Sequence, residues 1–424
     1  METAAPPASR LTIKTETLLR GVLGPMLALS CLSFIEPSPY EFFFILLIPV
    51  ALLSGLALTR TTLTLFFLIF AVVVSQLVAL FPYIQHPPLG ENNLTPALYS
   101  VYTVYLYASA LLFALIFSRN AGPRLTLCIK AYGLSCVFAG LWGIASYLDI
   151  GGLGAQEPIA GRVAGPFKDP NVLGSYCILG ALYYVQRAVL GARRRLLHFA
   201  CFLVVTVGGV FLSFSRGSWG AMIAATFIMG VSTYLTGDKI ARRRVRRSLG
   251  VLALLAGVGV GVVAATPVLR ETITERAKLE QDYDGENGRF GNQKRSIPML
   301  IERPLGFGPF RFPMHFTLQP HNSYIGAFAD GGWIGGFAFL LLVAASSVIT
   351  VRLLFLRSPL LRQAQVIGPA LIGFFLQALQ IDIDHWRFVF LMVGAVWGMQ
   401  SALTPREQRM RESSSTFRAA SPAA

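Results

Sequence analysis

The sequence predicts an all-α polytopic membrane protein with about twelve transmembrane helices and one large outer loop that contains short helices. Hydrophobic residues make up 54% of the 424 residues, and charged residues make up 13%, against roughly 25% in an average soluble domain. A single soluble core stops growing near about 250–300 residues, so this much apolar sequence needs lipid as its solvent. Apolar runs of about 20 residues, the length that crosses a bilayer as a helix, recur along nearly the whole chain.

Twelve apolar runs each predict one membrane span, and together they organise residues 1–424 as a single transmembrane domain. The first run lacks a small-residue cleavage site and is followed at once by another span, which argues against a cleavable signal peptide. The predicted spans are residues 18–35, 39–58, 62–84, 97–118, 125–148, 171–186, 196–214, 217–236, 248–266, 333–351, 364–381 and 386–403.

The distribution of basic residues predicts the orientation of these spans. The chain has 36 basic and 21 acidic residues, a formal net charge of +15. With the N-terminus inside, most basic residues fall in inner segments such as Arg242 to Arg247, as the positive-inside rule requires. Residues 1–17 then form a cytoplasmic tail, and the polar residues 404–424 form a disordered cytoplasmic tail. The basic excess therefore reflects topology and contact with anionic lipid rather than nucleic-acid binding.

The longest outer loop covers residues 267–320 and is dense in charge. Its first part, Val268 to Gln281, mixes apolar and charged residues at helical spacing, which predicts a helix along the membrane interface. Its last part, Pro304 to Pro309, is an apolar stretch rich in proline and glycine. Because loops longer than about 12–15 residues in compact proteins are usually functional or disordered, this apolar end favours a packed, functional loop.

Two arginines of the outer face are candidates for binding phosphate. The outer face is acidic overall, so the positive-inside rule does not explain an arginine there. Arg216 stands where one predicted span ends and the next begins without a loop, and Arg289 lies in the large loop. A guanidinium fork suits phosphate better than an ammonium does, and two arginines on one pyrophosphate would stabilise a leaving group. The alternatives are an interfacial arginine on phospholipid for Arg216 and a solvated charge for Arg289.

A histidine marks the point at which the large loop returns to the membrane. His321 is followed by Asn322 and has an unperturbed pKa near 6.5 that suits a general base. The glycine pairs Gly331-Gly332 and Gly335-Gly336 just beyond it permit a break and close helix packing. The alternative is a histidine with a purely structural role.

These residues together resemble the signature of the O-antigen ligase family, which is shared with bacterial protein O-oligosaccharyltransferases. His321-Asn322 is followed, after nine residues, by Gly332-Trp333-Ile334-Gly335. The resemblance to the wider superfamily of ligases and polymerases covers roughly residues 150–400. Its other motifs are Arg162 with Gly165 and Pro170-Asn171, Ser215-Arg216-Gly217, and Arg303-Pro304-Leu305-Gly306-Phe307-Gly308.

The resemblance implies a metal-independent glycosyltransferase of the Gram-negative inner membrane, with its active site on the periplasmic side. The enzyme would move O-antigen polysaccharide from undecaprenyl pyrophosphate to a sugar hydroxyl of lipid A–core, with inversion and without a cofactor. Its partners would be these two substrates and membrane lipids, with no nucleic acid. The implied catalytic residues are His321, Arg216 and Arg289. The implied substrate-binding residues are Arg162, Lys168, Asn171 and Asn322.

The short turn between the last two predicted spans holds further candidates. Asp384, His385 and Arg387 are predicted to bind substrate, either as ligands for the acceptor sugars or with the acidic residues orienting Arg387. Asp382, Asp384 and His385 are also open to interpretation as a metal-binding cluster with hard oxygen ligands.

Three other activities stay open beside the ligase. A polysaccharide polymerase uses the same donor but extends a growing glycan, and a protein O-oligosaccharyltransferase uses a protein acceptor. Relatives of the latter usually carry a sizeable domain after the last span, where this chain has about twenty polar residues. A transporter is disfavoured because the acidic residues at the predicted spans are limited to Glu41 and Asp330, both near outer ends, although transport pathways commonly use such groups.

Overall fold

The computed structural model describes residues 10–35, 37–56, 58–85, 94–157, 161–191, 193–267, 270, 288–316 and 318–419. The regular structure of these residues is helical, and a π-helix, Val205–Phe211, directly continues α7. The helices are α1 Arg10–Ala28, α2 Pro39–Leu53, α3 Arg60–Gln85, α4 Leu94–Phe117, α5 Ala121–Tyr147, α6 Pro170–Val189, α7 Arg195–Val204, α8 Arg216–Thr236, α9 Lys239–Ala265, α10 Arg289–Ile301, α11 Ser323–Phe355, α12 Leu361–Gln377 and α13 Arg387–Ala419.

Six helices of the described residues are long and apolar enough to cross a membrane, and these confirm a multi-pass helical membrane protein. Two shorter apolar helices, Pro39–Leu53 and Arg195–Phe211, accompany them. A helix lies at each of the twelve predicted segments, but the count of twelve spans and their orientation stay predictions. The six are Arg60–Pro82, Pro96–Phe117, Ala121–Tyr147, Arg216–Thr236, Ser323–Phe355 and Arg387–Thr404.

The helices pack around a large apolar core, and a smaller second cluster joins the large loop to α11. The closest neighbours are α4 with α13, α3 with α11, α8 with α12, and α5 with α6. Glycines permit some of these approaches, because a Cβ atom at Gly143 of α5 would collide with the carbonyl oxygen of Gly208 in the π-helix. This matches the enrichment of small residues where membrane helices meet.

Helix α11 is broken at Gly332, as the glycine pairs predict. Gly332 has φ 62° and ψ −157°, a conformation that is essentially restricted to glycine. The segment ahead of the helix packs into the break, since Trp333 N–H donates to the Pro304 carbonyl at 2.9 Å. Phe307 N–H likewise donates to the Ala329 carbonyl at 2.7 Å. The Arg303 to Gly308 motif therefore closes the loop onto α11.

The C-terminal segment and the large loop contain helices in their described parts, while the predicted tail and loop boundaries stay predictions. Helix α13 continues to Ala419 and so includes most of the segment 404–424 predicted to be disordered. Residues after Pro405 are largely good helix formers without glycine, which explains the continuation. Short helices occur in the described part of the loop 267–320, namely α10 and a 3₁₀ turn, Phe312–Met314. The predicted interfacial helix, Val268 to Gln281, lies outside the described residues apart from Arg270.

Candidate active site

Three helices begin at the same end of the bundle, and each starts with a polar capping side chain. Asp169 accepts a hydrogen bond from Asn171 N–H at the start of α6, Ser215 caps α8, and Asn322 caps α11. The starts are joined, since Ser218 Oγ of α8 donates to the Asn171 carbonyl at 3.3 Å. We call this end of the bundle the site end. Because helix N-termini carry partial positive charge, their grouping favours an anion there.

His321 lies at the site end immediately before the start of α11, and its backbone is held from two directions. Its φ of 46° is in the left-handed region. Arg289 Nη2 of α10 donates to the His321 carbonyl at 2.9 Å. Asp382 accepts the backbone N–H groups of His321 and Asn322 at 3.1 and 2.9 Å. The structure therefore brings two predicted catalytic residues, Arg289 and His321, into direct contact.

Burial and nearby charge set the protonation states of His321 and Asp382. Burial and the Arg289 charge lower the pKa of His321, while the Asp169 charge opposes them. Burial and the Asp384 charge raise the pKa of Asp382 to about 7. His321 Nδ1 lies 3.6 Å from Asp382 Oδ2. The imidazole is consequently neutral at neutral pH, the form that accepts a proton.

A second group of predicted residues lies where α6 and α8 begin. Arg162 Nη2 donates to Asn171 Oδ1 at 2.8 Å, and its Nε donates to the Ser213 carbonyl at 3.1 Å. Phe214, with φ 47°, turns the chain sharply, and Arg216 then opens α8. Arg162 therefore fixes the segment that delivers Arg216 to the site end.

The turn before α13 forms a buried polar network. Asp384 Oδ2 accepts hydrogen bonds from Tyr99 OH and His385 Nδ1, both at 3.0 Å, and Tyr99 OH also lies 3.0 Å from Asp330 Oδ2. The His385 ring stacks on Tyr102 with 5.4 Å between centroids. Burial alone would raise the pKa of Asp384, but the His385 charge and the hydrogen bonds from His385 and Tyr99 together lower this pKa. The network ties α4, α11 and the turn together.

The metal interpretation of this turn finds no support in the geometry. In the part of the chain that the structure describes, no group of three or more His, Cys, Asp or Glu is placed to hold a metal ion. Asp384 and His385 contact each other, and Asp382 binds the backbone before α11. Asp382 thus has a different neighbour from the Asp384–His385 pair.

Arg387 contacts the start of α2. Its Nη1 donates to Ser38 Oγ at 2.7 Å and forms an ion pair with Glu41, and its guanidinium lies 5.3 Å from the centroid of the Tyr40 ring. Arg387 and the exposed Lys168 line one cavity of about 180 Å³, which we call the aromatic cavity. The structure therefore brings these two predicted substrate-binding residues to a common space.

A larger apolar groove of about 500 Å³ lies between α10 and α11. It begins close to the site end, because α10 starts at Arg289 and α11 starts two residues after His321. Trp333 closes part of it, since its Nε1 donates to the Leu300 carbonyl at 3.0 Å. Residues that line this apolar groove include Ile297, Leu300, Ile301, Ile325, Phe328 and Trp333.

The sequence predictions assign no contact with His321 to Asp382, and they omit Asp169 and Gln377, which the structure places at the site end. Asp382 binds the backbone of His321, and Asp169 both caps α6 and acts electrostatically on His321. Gln377, at the end of α12, bonds Ser175 of α6 at 2.9 Å. Asp169 stands directly before the Pro170-Asn171 motif, a signal that identifies it as a helix cap. No spacing in the sequence indicates the other contacts.

The fold and this end of the bundle define a class of protein: a multi-pass helical membrane protein with arginines and a neutral histidine around a polar site. Residues 200–340 match the family model of O-antigen ligase, Wzy_C, which confirms the resemblance carried by the motifs. This segment is therefore similar to the O-antigen ligase family, whose members are glycosyltransferase-like membrane enzymes. The match includes Arg216, Arg289 and His321. No curated protein matches the chain.

Proposed function

We propose that this protein is an O-antigen ligase that transfers O-antigen polysaccharide from undecaprenyl pyrophosphate to a sugar hydroxyl of lipid A–core. The proposed setting is the inner membrane of a Gram-negative bacterium, with cytoplasmic termini and the site end on the periplasmic side. The proposed partners are these two substrates and membrane lipids. The donor is already activated, so the reaction requires neither a nucleotide nor another cofactor.

The donor's pyrophosphate fits the charges at the site end. Arg216 and Arg289 supply guanidinium groups, and the starts of α6, α8 and α11 add partial positive charge. The apolar groove beside α10 suits the polyprenyl chain, since Arg289 begins the helix whose Ile297 and Ile301 line that groove. Charge and groove are therefore placed for the two ends of one lipid pyrophosphate.

The transfer itself needs one base and a stabilised leaving group. The neutral imidazole of His321 takes the proton of the acceptor hydroxyl, whose oxygen attacks the anomeric carbon of the donor sugar. The bond between that carbon and the pyrophosphate oxygen breaks, and undecaprenyl pyrophosphate leaves with the electron pair. Arg216 and Arg289 meet the charge that develops, so no general acid is required. A single displacement of this kind inverts the anomeric centre.

One observation supports this proposal above the others. The predicted base and a predicted phosphate ligand are joined directly, because Arg289 Nη2 donates to the carbonyl of His321 at 2.9 Å. Binding of pyrophosphate at Arg289 would therefore place the anomeric carbon close to the imidazole. Proximity of this kind supplies much of the catalysis when the chemistry itself is simple.

The test is a transfer reaction with purified protein, undecaprenyl-pyrophosphate glycan and lipid A–core, with and without a metal chelator. We expect glycan attached to lipid A–core, equally in both conditions, and a loss of at least about 100-fold for His321→Ala and Arg216→Ala. His198→Ala and Arg357→Ala, which lie away from the site end, serve as matched controls. Elongated donor would identify a polymerase, and glycan on a protein acceptor would identify an oligosaccharyltransferase. Inhibition by chelator would refute the metal-independent mechanism.

A further inference from the structure

The aromatic cavity lies apart from the apolar groove and has a different character. Its volume is about 180 Å³, and it shares no lining residue with the groove. A cavity of roughly 150 Å³ holds one six-membered ring, so this one has room for a single sugar ring. Its aromatic wall includes Tyr40, Tyr102, Phe167, Tyr176, Trp386 and Phe388.

Polar groups interrupt this aromatic wall. Lys168, Asp169, His385 and Arg387 also line the cavity, and Lys168 is exposed to solvent. A purely apolar ligand would cover these polar side chains from water without offering them a hydrogen bond, which costs free energy. A sugar ring has hydroxyl groups for them and C–H faces for the aromatic rings, whose faces carry partial negative charge. The lining is therefore that of a carbohydrate subsite.

The charges of the cavity favour a neutral sugar over a phosphate. Arg387 forms an ion pair with Glu41, and Asp169 lies beside Lys168 at the cavity lining. Arg387 is thus already paired with a carboxylate, and a second carboxylate lines the cavity beside Lys168. A dianionic group would gain little from the paired Arg387 and would meet the Asp169 carboxylate in the cavity wall.

The cavity also lies close to the proposed base. Asp169 lines it and is near enough for its charge to act on His321. His385, another lining residue, follows three residues after Asp382, which binds the His321 backbone. A ring in the cavity would therefore have hydroxyl groups within the neighbourhood of the imidazole.

We propose that the aromatic cavity binds the acceptor, by holding the sugar ring of lipid A–core that receives the glycan, while the donor occupies the apolar groove and the arginines. The proposal rests on the ligase function. It assigns Tyr102 and Lys168 to acceptor binding and gives the two substrates separate sites on either side of one histidine.

The test measures the KM of each substrate for Tyr102→Leu and Lys168→Met. We expect the KM for lipid A–core to rise about tenfold in each variant, with the KM for the donor unchanged. Tyr147→Leu and Lys130→Met are matched controls, because both residues are exposed on α5 and line neither space. Gel filtration and thermal unfolding establish that each variant is folded.

A second measurement separates failure of this proposal from failure of the ligase function. Radiolabelled lipid A–core is bound to the protein in nanodiscs without donor, and we expect about tenfold weaker binding for both variants. A wild type that makes no transfer would refute the ligase function. A wild type that transfers normally, with variants that change only the KM for the donor or neither constant, would overturn the acceptor assignment. So would a wild type that binds no lipid A–core.

Discussion

At His321 the backbone is held more firmly than the side chain. The carbonyl and N–H groups have partners in Arg289 and Asp382, whereas the side chain is 40% exposed. A left-handed non-glycine residue costs of order 1–3 kcal/mol, which the surrounding structure must offset. The backbone bonds from Arg289 and Asp382 do so, and Asp382 Oδ2 also lies 3.6 Å from Nδ1 of the imidazole.

Substitutions of two neighbours of His321 should shift its pKa in opposite directions. The pKa of His321 is below its ordinary 6.5, so the acid limb of the rate lies below that pH. Asp169→Asn removes a negative charge, keeps a helix-capping side chain, and should lower the pKa further, moving the limb to lower pH. Arg289→Gln removes a positive charge and should raise the pKa of His321.

The pKa of His321 is measured by NMR titration of histidine-labelled protein, with His321→Ala to assign the signal. The chain has five histidines, so the spectrum is simple. Equal values in wild type and both variants, or shifts of reversed sign, would contradict the electrostatic account of this site.

At the scale of elements, the break in α11 predicts a strong effect of a small substitution. Gly332→Ala would place a Cβ atom against the Pro304 carbonyl and force a conformation reserved for glycine. We expect a cost of at least about 1–3 kcal/mol and a thermal midpoint several degrees lower in detergent. Gly230→Ala on α8 is the control, because nothing lies within 4 Å of its added Cβ atom. Equal thermal midpoints for wild type and Gly332→Ala would show that stability does not depend on the break in α11.

Helix positions could be predicted from apolar length, but helix ends depend on capping. The predicted span 248–266 corresponds to α9, which begins at Lys239. Asp238 accepts a hydrogen bond from Ala241 N–H at 2.7 Å and so starts the helix early. Arginine is a good helix former, so the basic cluster continues the helix rather than forming a loop.

Site residues could be predicted from the sequence only where they belong to a recognisable motif. The motifs identify His321, Arg216 and Arg289, but the bond between Asp382 and His321 joins residues 61 apart and results from how the helices pack. Arg387 is a similar case, because its partner Glu41 lies on α2, far away in the sequence. Contacts of this kind follow from tertiary packing, which a single sequence does not encode as spacing.

At the scale of the whole molecule, the charge distribution predicts which side each end faces. In a variant whose native cysteines are replaced, Lys168→Cys should react with a membrane-impermeant thiol reagent in spheroplasts, and Arg357→Cys should not. Lys168 is exposed just before the start of α6, at the site end. Arg357 is exposed just after the end of α11, at the other end of the bundle. Permeabilised cells provide the control for reactivity. If only Arg357→Cys is labelled in intact spheroplasts, the orientation is the opposite of the predicted one.

The three capping side chains have a consequence for tolerance to change. Asp169, Ser215 and Asn322 each cap the first turn of a helix. A proposed site residue lies within two residues of each cap. Each residue of an α-helix turns the chain by about 100°. One residue inserted at a cap would therefore rotate a whole helical face away from its neighbours, whereas the same insertion at the opposite ends would leave the angular alignment of the site intact. The protein's freedom to accept length variation is thus concentrated on the side remote from its chemistry.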